Sequence, residues 1–138
     1  MTSARRCRFV RAAADDLSPV GSGTVDVVTT RSVLIYVQDK GRAFGEFHRV
    51  LRPGVRISLF EPVNRLNRFL RAYDPGTVQD LDDRVKGVLE ALQPRARDPM
   101  LNFDDRDLVE LAEAAGFGRV SLTRQVETKP PEPMRWQA

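Results

Sequence analysis

The sequence predicts an α/β fold built on a parallel sheet, and three observations carry that expectation. Residues 24–30 (TVDVVTT) are β-branched almost throughout, which suits a central strand of a parallel sheet covered on both faces. Residues 39–51 carry an apolar stripe at helical spacing, stopped by Pro53-Gly54. A second β-rich run, Arg56–Phe60 (RISLF), follows at once. Strand, helix and strand at this spacing make a right-handed crossover between parallel neighbours.

In chain order, Arg8–Ala13 (RFVRAA) reads as a short strand around Phe9 and Val10, ended by Asp15-Asp16. Leu17–Gly23 holds Pro19, Gly21 and Gly23 and reads as a loop. The strand Thr24–Thr30 comes next, then a loop or short helical turn over 31–37. Asp39 is a suitable N-cap, with Arg42 in place of the glutamate of a capping box. Ala43, Phe44, Phe47, Val50 and Leu51 share one face of the helix it opens. After the strand Arg56–Phe60, residues 64–93 are helical in character, broken at Pro75-Gly76, with a stripe of Val78, Leu81, Val85, Val88, Leu89 and Leu92. Residues 94–102 read as a loop. Asp104 or Asp105 caps a helix to Ala115, with Gly116 ending it. Arg119–Val126 alternates as a last strand, and residues 127–138, with three prolines, form a loose tail.

The 138 residues suit one domain at roughly 100–200 residues per domain. At 41% hydrophobic and 30% charged, the composition is that of a globular protein. Nothing approaches the ~18–20 apolar residues of a membrane span, and no apolar core of a secretory signal follows the first arginines. One cysteine (Cys7) and one histidine (His48) exclude a disulfide framework and argue against a zinc site, so no metal is expected and the setting reads as cytoplasmic. Residues 1–60 hold 10 basic and 5 acidic residues, and residues 61–138 hold 12 and 14. The basic front half raises a nucleic-acid-binding module as an alternative. Its arginines are dispersed with little aromatic interleaving, which argues against it.

The segment Val25-Asp26-Val27-Val28, Ser32-Val33-Leu34, Asp39 and Glu46-Phe47-His48-Arg49-Val50-Leu51-Arg52-Pro53-Gly54 resembles the class I S-adenosylmethionine-dependent methyltransferases. That family carries an aspartate-containing strand, a short segment ending in aspartate, and a helix ending E-x-x-R-V-L-[KR]-P-G-G. Asp104–Val120 is similar to its next helix and strand. The resemblance implies a Rossmann-like fold, present as strands 3 to 6 of the family's seven-stranded sheet. Residues 1–126 would form a partial methyltransferase domain, with 63–102 its variable substrate-side insertion. It also implies S-adenosylmethionine as cofactor and a small-molecule acceptor.

In an open parallel sheet, ligands bind beyond the carboxyl ends of the strands. By resemblance, Ala13, Ala14 and Asp15 would lie beside the adenine, and Thr30, Arg31 and Ser32 along the methionine end. Tyr36, Glu61 and Asn64 would face the acceptor, and no catalytic residue is evident. Three departures stand out. Ala13 occupies the place of the family's acidic residue. Val55 replaces the second glycine of P-G-G, where φ > 0 would strain a β-branched residue. No G-x-G-x-G loop occurs. The expectation is therefore a domain lacking part of its cofactor cradle. A non-catalytic remnant, or a subunit that completes its open sheet edge with a second chain or in a homo-oligomer, is the alternative. A Rossmann-type reductase lacks its fingerprint here too.

Among single residues, the Glu46–Arg49 pair reads as a surface pair worth about 0.2–0.5 kcal/mol. His48 reads as solvent-facing or packed, Asp26 as bonding nearby backbone, and Cys7 as inert. Arg65, Arg68 and Arg71 read as a solvated helix face. Tyr36 packs beneath the cofactor turn or touches the acceptor.

Overall fold

The structure, a computed structural model, describes residues 7–66, 79–92, 94 and 96–126. Two strands, β1 (Val25–Arg31) and β2 (Leu51–Phe60), pair in parallel. A single-turn 3-10 segment (Leu34–Tyr36) and α1 (Lys40–Val50) connect them. A second 3-10 turn (Asn64–Leu66), α2 (Gln79–Leu92) and α3 (Asp105–Ala114) follow. This is the expected crossover.

Asp39 caps α1, its carboxylate accepting the Arg42 N–H at 2.8 Å. The stripe then buries Ala43, Phe44, Phe47 and Val50. Leu34 and Ala112 complete the core, with Val28, Ile57 and Leu59 packing in from the strands and Leu108 and Leu111 from α3. The Phe44 ring lies edge-on to Phe47 at 6.2 Å and to Phe117 at 6.5 Å. Burying a phenylalanine of this kind contributes about 1.5–3 kcal/mol. At α3, Asp104 is the cap, and it forms a capping box with Asp107.

Four expectations are corrected. Residues 8–13 make no ladder; Ala13 bridges Asp16 across a tight turn, and Phe9 is 97% exposed. Residues 119–126 are likewise outside any strand, with Leu122 and Val126 exposed. The physical reason is shared: among the described residues neither segment has a neighbouring strand, and backbone groups left without partners favour water over a ladder. Among the described residues the sheet is covered on one face only, for Val27 and Phe60 lie exposed on the other. Finally, α1 passes directly into β2 at Leu51, with no loop between. Between the pairs Val25–Leu51 and Val27–Arg56, β1 advances two residues and β2 five. The excess is a bulge within β2 in which Gly54, at φ +82, takes the left-handed position and Val55 does not.

The apolar stripe expected on α2 is present but exposed at Leu81, Val85, Val88 and Leu92. Arg68, Arg71, Pro75-Gly76, Val78 and the tail 127–138 lie outside the described residues.

Candidate functional site

The carboxyl ends of β1 and β2 are tied together by one side chain. Glu61, the first residue after β2, accepts from the Thr30 hydroxyl at 3.1 Å, the Val33 N–H at 3.1 Å and the Ile35 N–H at 3.3 Å. It thereby receives two backbone donors of the turn that leaves β1. Within that turn Ser32 has φ +54, the one positive value at a non-glycine among the described residues. Ser32 also donates its N–H to the Phe60 carbonyl at 2.8 Å, and the Arg31 guanidinium lies 5.4 Å from the Phe60 ring centroid. Sparsely populated backbone of this kind persists only where its surroundings over-determine it, and it clusters at functional sites.

The far end of the same segment is fixed by Lys40, the first residue of α1, which is only 5% exposed. Its ammonium donates to the Val37 carbonyl (2.9 Å), the Pro99 carbonyl (2.8 Å) and Asn102 Oδ1 (2.8 Å). It also stands 4.5 Å from the Phe103 ring centroid. Burial lowers its pKa, against the opposing charges of Glu61 and Asp98. Sequence reading gives Lys40 no role, because the loop that buries it arrives from some sixty residues away in the chain.

The structure places the other expected residues unevenly. Thr30, Arg31, Ser32 and Glu61 are brought together. Ala13, Ala14 and Asp15 form a separate turn closed by the Asp16 N–H on the Ala13 carbonyl (3.1 Å), with Ala14 packed on the common core. Tyr36 is 65% exposed and does not pack beneath the turn. Asn64 is half-buried in the 3-10 turn after Glu61. Asp26 pairs with the Arg52 side chain, not with backbone. Arg65 faces Asp104 and Asp107 of the α3 start at 3.7 and 3.5 Å. Cys7 is exposed, and His48 meets Phe117 edge-on at 5.2 Å. Among the described residues no helix is long and apolar enough to cross a membrane.

The Glu46–Arg49 pair is more than a surface pair. The same guanidinium reaches the Leu17 carbonyl (2.9 Å), the Val20 carbonyl (3.0 Å) and Ser22 Oγ (3.1 Å), and Glu46 accepts the Leu17 N–H at 2.6 Å. It fastens the loop 17–23 to α1.

Comparison with known proteins agrees with the motifs. The methyltransferase-domain family matches residues 2–59. A protein of Idiomarina loihiensis named ubiquinone/menaquinone biosynthesis C-methyltransferase UbiE is 32% identical over 117 residues, covering 82% of this chain and 46% of that protein. Its counterpart of the same name in Stutzerimonas stutzeri is 36% identical over 120 residues, covering 83% of this chain and 46% of that protein. The chain thus spans about half the length of these curated relatives. No solved structure matches.

Proposed function

The chain belongs to the class I S-adenosylmethionine-dependent methyltransferase family, and from that premise we propose that it binds S-adenosylmethionine beyond the carboxyl ends of β1 and β2 and transfers its methyl group to a small-molecule acceptor. In this reading β1 and β2 are the fourth and fifth strands of the family's sheet, and residues 63–102 shape the acceptor side. Thr30, Arg31 and Ser32 border the methionine end, Ala13–Asp15 the adenine, and Tyr36 and Asn64 the acceptor.

One observation carries the proposal: the Glu61-held turn, with Ser32 at φ +54, stands where an open parallel sheet presents its ligand site. The donor set there fits an amino-acid carboxylate, since the exposed Arg31 guanidinium and the Ser32 hydroxyl are both donors. The cofactor supplies an electrophilic methyl group on a sulfonium. The protein's task is then to align the acceptor and exclude water, so a site without an acid–base dyad is compatible with the reaction. The relatives' names make a quinone precursor methylated at carbon the first acceptor to try.

Titration calorimetry with S-adenosylhomocysteine tests the reading. Saturable one-to-one binding by folded protein is expected, and no heat of binding would overturn it.

A second reading has its own observation. Among the described residues the two-stranded sheet has no third strand at either edge, and Val27 and Phe60 stand bare on its open face. Such edges pair readily with another chain. A non-catalytic subunit, or a homo-oligomer completing its sheet, would then sediment as more than a monomer and bind no S-adenosylhomocysteine alone.

A further inference from the structure

We infer that Glu61 is a positioning residue for the cofactor turn and not a carboxylate turned toward the acceptor. The inference rests on the cofactor reading above and assigns this residue's work within it.

Both oxygens of the carboxylate are engaged on the turn side. Its Oε1 takes the Thr30 hydroxyl and the Val33 N–H, and its Oε2 takes the Ile35 N–H. A carboxylate accepts only, and these three donors run from the end of β1 (Thr30) through Val33 into the 3-10 turn (Ile35). That segment needs holding. Ser32 sits at φ +54, a conformation costly for a side-chain-bearing residue, and the two N–H groups are the ones left over as the chain turns out of the strand. The opposite end of the segment is pinned by Lys40 through the Val37 carbonyl. Residues 30–37 are therefore fixed from both ends, with Glu61 bonded across the strand boundary to the half that carries Arg31 and Ser32. The turn is set before any ligand arrives, so binding need not order it.

Two variants separate this role from its rivals. Glu61→Gln keeps acceptor capacity on one atom only; Glu61→Ala keeps none. Affinity for S-adenosylhomocysteine is expected to fall about tenfold or more in Glu61→Ala and less in Glu61→Gln. Hydrogen exchange at the Val33 and Ile35 amides should accelerate in the same order, while amides of the buried part of α1 keep their protection. Equal affinity in all three proteins would overturn the inference while leaving the cofactor reading intact. Uniform acceleration across α1 would overturn it as well, showing a general loss of stability. If the unaltered protein itself binds no S-adenosylhomocysteine, the cofactor reading has failed and this inference falls with it.

Discussion

The Arg49 guanidinium grips both oxygens of Glu46, with Nε at 2.7 Å from Oε1 and the second terminal nitrogen at 2.8 Å from Oε2. One turn of helix separates the two residues, yet their bonds reach into the loop 17–23. A planar fork makes this possible: two of its nitrogens face the carboxylate while the terminal pair also meets Leu17, Val20 and Ser22. Arg49→Lys keeps the charge and loses the fork. It is expected to destabilise the fold by about 1–2 kcal/mol, read as a lower urea midpoint with an unchanged slope. A midpoint equal to that of the unaltered protein would show the loop bonds to be incidental.

The same carboxylate sets a pH dependence. Hydrogen bonding to Arg49 holds the Glu46 carboxyl down at about 2, against 4.5 for an ordinary glutamate. Between those values the unfolded chain binds a proton that the folded chain refuses, so stability rises with pH through the interval. The contribution is full above about 4.5 and is lost as pH falls toward about 2. Urea midpoints taken across this range should decline in the unaltered protein and decline less steeply in Glu46→Gln. Parallel curves would place the acid sensitivity elsewhere.

Local chemistry made the crossover legible. Asp39 caps, the helical stripe of Phe44, Phe47 and Val50 is buried, and the β-branched run read at 24–30 pairs as a strand over Val25–Arg31. The strands expected at 8–13 and 119–126 fail because a strand is not a local property: the apolar pair Phe9-Val10 and the alternation around Leu122 suit one, but neither segment has a neighbouring strand among the described residues. The turn after α1 shows a subtler limit. Val55 looked incompatible with the family's P-G-G turn, but the left-handed position falls on Gly54 alone, and the register shift in β2 absorbs the difference. At the site, Glu61 was visible as a carboxylate at a strand end. That its partners are Thr30, Val33 and Ile35 depends on the parallel pairing, which no run of residues near Glu61 encodes.

Gly116 gives the last prediction, because two separate causes act against a side chain there. The residue follows the α3 cap Ala115 at φ +101, donating to the Glu113 carbonyl at 2.9 Å while Phe117 donates to Ala112 at 3.1 Å. That paired bonding is the Schellman arrangement, and it delivers Phe117 to Phe44 and His48. A Cβ on Gly116 would also lie 3.2 Å from His48 Nε2. Gly116→Ala should therefore cost about 1–3 kcal/mol in urea unfolding. The His48 ring is exposed and able to shift, whereas the backbone angle is fixed by the two carbonyl bonds. Most of the cost should accordingly survive in a His48→Ala background. Its complete disappearance there would make contact with the imidazole, and not the left-handed backbone, the reason that glycine ends this helix.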